Sequence, residues 1–303
     1  IRDEALKILL ESARGIAGIY PILSEMVRKT IRKLSSYPWI NRSKLLEVIS
    51  EIIHYGSEKL PENILKDWIS LRDELTGSSF SDLLKRYVGM NISEDYFHDG
   101  ERYNTKWVES KIHELAEKVM ANPNILEPEY SWLTTDRAKR GYQFGYELGK
   151  LDTNFSLLER LIDKQRKTGS NGTVYFLGGY FKAFFGRNVS LWENKLELLS
   201  QDNFFRKFIP ELTWRSGMTD RAAKRILSMA KKGKIDVNSF GIFRFGGVVK
   251  QISESIFIEW IKFLLKDSSG LGAVIALGLF HFYYVYQENN KTLPKGLTLD
   301  LLL

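Results

Sequence analysis

Acidic and imidazole side chains crowd together at Glu94, Asp95, His98, Asp99 and Glu101. Carboxylates and an imidazole at that density could hold a divalent cation, because oxygen and nitrogen donors suit such ions. The surrounding segment from Asn91 to Asn104 is the most polar in the chain, so a hydrated loop between helices is the plainer reading. Glu109 and His113 are one helical turn apart, the spacing of an ordinary surface pair. The four histidines, His54, His98, His113 and His281, are scattered and form no H-E-x-x-H zinc motif. His281, within an aromatic run, reads as a core histidine with a hydrogen-bond partner. No G-x-x-x-x-G-K-[S/T] loop occurs, and the pair Gly246-Gly247 lacks both the lysine and a preceding strand. A G-x-S-x-G elbow is missing as well. The expectation is a chain without catalytic, cofactor-binding or metal-ligating residues.

One basic stretch stands out from a background of interspersed signs: Arg221, Lys224, Arg225, Lys231, Lys232 and Lys234, around one expected helix. It reads first as a solvated helix face, and second as a face that could contact nucleic acid. The net charge of +7, from 44 basic and 37 acidic residues, is mild. The chain has no cysteine, which excludes disulfides and thiolate metal sites and fits a reducing, cytoplasmic setting. No secretory signal opens it. The uncharged run Ser268 to Gln287 is long enough to cross a bilayer, but it carries Gly270, Gly272, Gly278 and three tyrosines. A helix buried among neighbours is the better reading, so no membrane partner is expected. The start at Ile1 in helical pattern and the stop at Leu301, Leu302 and Leu303 suggest a piece of a longer protein.

The elements that would carry these residues repeat. Leu158, Trp192, Ile226 and Trp260 recur every 34 residues without a gap. Other columns hold Gly145, Gly179, Thr213 and Gly247; Gly149, Ala183, Gly217 and Gln251; and Ile162, Leu196, Ala230 and Leu264. A fixed period in this range points to stacked helix pairs. The first helices are expected near Thr134–Leu151, Thr173–Phe185, Phe204–Arg215, Ser239–Gln251 and Leu271–Tyr286. The second helices are expected near Asn154–Lys167, Ser190–Leu199, Thr219–Lys232 and Ser253–Lys266, with a last one from about Leu297. Ser190 with Glu193 has the form of a capping box, and Thr219 and Ser253 can cap singly. Glycines one turn apart, as at Gly145 and Gly149, imply close helix packing. The aromatic runs at Tyr175–Phe185 and Phe280–Tyr286 read as core stripes. No segment alternates like a half-buried strand, so the fold class is all-α. The polar stretch Asn122 to Tyr130, with Pro123 and Pro128, marks a division between an N-terminal helical region, residues 1–121, and a helical-repeat solenoid, residues 122–303.

A unit of 34 residues in two helices, with Gly145-Tyr146 and Gly179-Tyr180 in first helices, resembles tetratricopeptide and HEAT-like repeats. The later alanine and terminal proline of the tetratricopeptide consensus do not recur. The segment Leu212–Asp220 through Ala230, continuing into Phe245-Gly246-Gly247 and Ile252–Leu265, resembles the C-terminal helical-repeat region of bacterial antiviral STAND ATPases of the Avs type. That resemblance implies a non-catalytic sensor fragment binding a phage protein, such as portal or terminase large subunit, by shape. ATPase or nuclease activity would lie outside this chain, no binding residue carries over, and oligomerisation of the parent protein stays open. The alternative is a nucleic-acid-binding helical repeat using the Arg221 to Lys234 face.

Overall fold

The computed structural model describes residues 21–40, 42–56, 60–90, 105–169 and 172–285, with residues 8, 11–13, 15, 97–98, 101–102, 294 and 296. Among them the chain is helical, apart from a two-residue antiparallel pairing that sets Phe97 opposite Arg102 and His98 opposite Glu101. The chain groups into two compact units, residues 1–151 and 152–303.

In the first unit, α1 (Pro21–Ser35) and α2 (Arg42–Gly56) pack on α3 (Glu62–Thr76). The helical spacing of Leu45, Ile49, Ile52 and Ile53 turns one face of α2 into a core shared with Ile31, Trp68 and Leu71. Trp68 is fully buried, and its indole N–H donates to Ser24 Oγ at 2.9 Å. Pro61 precedes α3, where its missing N–H is not needed, and Gly77, at φ +79°, closes it. The helix α4 (Phe80–Tyr87) begins with a true capping box, Ser79 and Asp82, that the sequence reading missed. It packs on α5 (Thr105–Ala121), which in turn packs on α7 (Gly141–Leu151). The stretch placed as a division in the sequence is the 3₁₀ helix Pro123–Glu129 followed by the short α6 (Tyr130–Leu133). Leu126, Tyr130, Trp132 and Leu133 there are buried, and Trp132 Nε1 donates to Glu129 at 2.7 Å. Pro123 is tolerated because its missing N–H falls at the first position of that helix, whereas Pro128 lies inside it, and the stretch belongs to the core.

The second unit contains α8 (Leu158–Lys167), α9 (Tyr175–Arg187), α10 (Val189–Gln201), α11 (Ile209–Ser216), α12 (Asp220–Lys231), α13 (Glu254–Leu264) and α14 (Leu271–Phe280). Contacts run from α9 to α11, from α11 to the 3₁₀ segment Val237–Arg244, and from that segment to α14. A second series runs from α10 to α12 and from α12 to α13. Leu158, Trp192, Ile226 and Trp260 are all buried, as the repeat column demands. Their surroundings differ in detail. Trp192 meets Phe185 and donates to Ser216 Oγ at 3.0 Å, whereas Trp260 meets Phe240 and Phe243 and donates to the Ala223 carbonyl at 3.1 Å. Phe176, Tyr180, Phe181 and Phe184 are buried, so the aromatic run of α9 is core.

Several local expectations change. The expected helix Ser239–Gln251 is two 3₁₀ pieces, Val237–Arg244 and Val248–Gln251, because Gly246 and Gly247 between them take left-handed φ values of +73° and +67°. Gly217 lies just past α11, not inside a helix. A Cβ there would come within 2.5 Å of the Phe185 ring. The Ser190–Glu193 capping box does not form: Asn188 caps α10 by accepting from the Leu191 N–H, and Glu193 turns inward. Thr219 caps α12 as expected, but Ser253 makes no side-chain cap and instead its backbone N–H donates to Asp220. The run after Gly270 is a ten-residue helix ending in a π turn at His281–Val285. His281 is exposed there, contrary to its expected core position. No helix among the described residues is long and apolar enough to cross a membrane. The helix expected from Leu297 lies outside the described residues.

Candidate functional site

The basic stretch of the sequence folds onto a groove between α10 and α12. Arg221, Lys224, Arg225, Ser228 and Met229 line it from α12, with Lys232 at its C-cap, at spacings of three, four and seven, the positions that share one helix face. Glu197, Ser200 and Gln201 line it from α10. The cavity is about 670 Å³. Lys231, on the same helix, falls outside the lining and is simply exposed.

Lys234 reaches the groove because of how α12 ends. Gly233 adopts φ +64°, its N–H donates to the Ala230 carbonyl at 2.9 Å, and the Lys234 N–H donates to Met229 at 2.8 Å. These two bonds form a Schellman motif, which folds the chain back over the last turn and returns Lys234 to the groove. Lys231 and Lys232 stand at the same C-terminus, where the helix dipole favours positive charge.

Arg225 departs from the surface role given to it by the sequence. Its side chain is 4% exposed and lies between Glu193, at 2.5 Å, and Glu197, at 2.8 Å. Its Nη2 also donates to the Glu193 carbonyl at 3.1 Å, while Nη1 has no hydrogen-bond partner among the described residues. Glu193 in turn accepts from the Thr219 hydroxyl that caps α12. The buried network therefore locks α10 to α12 beneath the groove. Arg221, half exposed, donates to Asn194 at 2.9 Å. Lys224, Lys232 and Lys234 are exposed and form no ion pair among the described residues. The lining sets five cations against one carboxylate, and that carboxylate already holds Arg225. Chemically, the groove is suited to anions. The inward turn of Glu193, which decides the fate of Arg225, was hidden in the sequence behind its match to a capping box.

The other sequence candidates are not brought together. Of the cluster Glu94, Asp95, His98, Asp99 and Glu101, only the backbone of His98 and Glu101 is described, as the paired strands. No group of three or more metal-ligating side chains occurs among the described residues. His113 pairs with Glu147 at 2.9 Å and Glu117 at 3.6 Å, not with Glu109. Burial pushes the Glu147 carboxyl up, but hydrogen bonds from Lys150 and His113 outweigh it and hold its pKa below the ordinary value. Burial, then the Asp152 carboxylate at 2.5 Å, pushes the Tyr180 phenol well above its ordinary value, so Tyr180 serves as a neutral core donor. A second hollow, in the first unit, is lined by Arg42, Lys85, Arg86 and Arg137 with Asp82. Asp82 is committed there to the α4 cap. Set against protein-family models, curated proteins and solved structures, the chain matches none of them.

Proposed function

We propose that this chain is a non-catalytic recognition scaffold: an α-solenoid of tetratricopeptide-like or HEAT-like helix pairs that acts as the sensor of a bacterial anti-phage STAND ATPase. Its partner on this reading is a folded phage protein, portal or terminase large subunit. The observation that supports the stacked arrangement is a set of polar contacts joining residues 32 to 37 positions apart, about one unit of the repeat. In the first unit of the chain His113 with Glu147 has this spacing, while Arg28 with Asp67 and Trp68 with Ser24 are 39 and 44 apart. In the second the set is Arg225 with Glu193, Ser253 with Asp220, Arg166 with Asp202, Lys195 with Glu159, and Trp260 with Ala223. Other polar contacts of the second unit join residues 24 to 31 positions apart, as in Trp192 with Ser216 and Tyr283 with Ile252. Among the described residues its long-range polar contacts therefore stay within about one repeat length, as stacked units that contact only their neighbours would have them. Stacked pairs present an extended surface suited to a large partner.

Co-expression of the tagged chain with candidate phage portal and terminase proteins tests this reading. Capture of one of them that persists in high salt supports a shape-based sensor. Failure of every portal and terminase to co-purify with the folded chain removes it.

A further inference from the structure

The groove between α10 and α12 concentrates cations that have no counterion among the described residues. Lys224, Lys232 and Lys234 converge on it unpaired, and like charges brought together repel. Their placement is built, not incidental, because the Schellman turn at Gly233 carries Lys234 back and the buried Arg225 network fixes one wall against the other. Arg225 is almost wholly buried and serves to hold α12 against α10, which leaves the three exposed lysines as the cations that a ligand can reach.

We infer that this groove binds the phosphodiester backbone of nucleic acid without reading base sequence. Lysines act as point charges that neutralise phosphates, and three of them line this one groove. Met229 is the one apolar side chain in the lining, and no aromatic ring is there to stack a base. Backbone contacts position a nucleic acid but carry no sequence information. This inference stands apart from the sensor reading and survives its failure.

The test is fluorescence anisotropy of short labelled DNA duplexes titrated with the protein at several salt concentrations. With three phosphates engaged, the slope of log K against log salt is about −2.7, and affinity falls roughly 40-fold between about 50 and 200 mM salt. Two duplexes of unrelated sequence bind alike. The variant Lys224→Gln, Lys232→Gln, Lys234→Gln loses binding while far-UV circular dichroism stays unchanged, and Lys→Arg at the same positions restores it. The control Lys29→Gln, Lys66→Gln, on exposed lysines of the first unit, binds as the parent chain does. No binding at low salt, binding that survives the triple Gln variant, or strong preference between the duplexes overturns the inference. So does polyglutamate or inorganic phosphate competing as well as DNA does. Capture of a phage protein by the triple Gln variant separates this site from the proposed sensor surface.

Discussion

Removing one member of the Glu193–Arg225 pair should cost far more than replacing both. The two side chains are 6% and 4% exposed, so each is shielded from water and depends on the other for compensation. In Glu193→Leu the guanidinium keeps Glu197, which is 44% exposed, and the Glu193 backbone carbonyl, but Thr219 loses its acceptor. In Arg225→Met the Glu193 carboxylate keeps the Thr219 hydroxyl and the more distant Arg221, at 3.9 Å. Breaking a buried pair from one side costs on the order of 3 kcal/mol, at the low end of the usual range because of these residual partners. The double variant, which buries leucine against methionine, should stay within about 1 kcal/mol of the parent. The coupling is then on the order of 5 kcal/mol, well above that of an exposed pair. Urea unfolding followed by far-UV circular dichroism reads this directly. With a slope of about 2 kcal/mol per molar urea, each single variant lowers the midpoint of the affected transition by roughly 1.5 M. The double variant barely moves it. Two single variants each costing under about 1 kcal/mol, or a double equal to their sum, would refute the view that the pair is buried and mutually dependent.

The buried tryptophans give a second measurement: Trp192→Ala and Trp260→Ala should each lose about 3–5 kcal/mol in urea unfolding, while Leu198→Ala, 61% exposed, stays within about 0.5 kcal/mol. Gly217→Ala should cost about 1–3 kcal/mol, because its Cβ meets the Phe185 ring. The backbone there is extended and unstrained, so combining it with Phe185→Leu should recover part of the loss, as thermal melts would show. Glu147 sets a pH dependence. Its folded pKa lies below the ordinary 4.5, so the unfolded chain binds the proton more readily, and the stability that Glu147 contributes is present above about pH 4.5. That stability is lost as pH falls through the depressed value, and Glu147→Gln should flatten this limb of an acid titration followed by circular dichroism. Thr219→Ala should destabilise by about 1 kcal/mol through loss of the α12 cap, and Ser253→Ala by much less, because its hydroxyl caps nothing.

Periodicity carried most of what was legible in advance. Large apolar residues recurring at Leu158, Trp192, Ile226 and Trp260 announced buried positions, and all four are buried, since a helix can hide only the face on which such residues recur. Helix ends were legible where one residue dominates the local geometry, as at Thr219. They were misread where two chemistries suit the same letters. Glu193 fits a capping box by spacing, yet a buried arginine one unit away is the stronger partner for a carboxylate, and Asn188 takes the cap. Gly217 and Gly247 fit a small-residue helix stripe by spacing, yet one sits past a helix end and the other in a left-handed turn.

The candidate site divides in the same way. The sequence by itself determined the helical class, the buried column of Leu158, Trp192, Ile226 and Trp260, and the concentration of six basic residues around one helix. Those depend on composition and on spacings within a turn or two, which a chain expresses locally. Only the tertiary structure decided which of those cations meet water. Arg225 sinks because α10 brings Glu193 and Glu197 against it, Lys231 drops out by its angle on the helix, and Lys234 returns through the Gly233 turn. Burial and charge pairing are set by the neighbouring helix, and the identity of that neighbour's facing side chains is not encoded in the stretch itself.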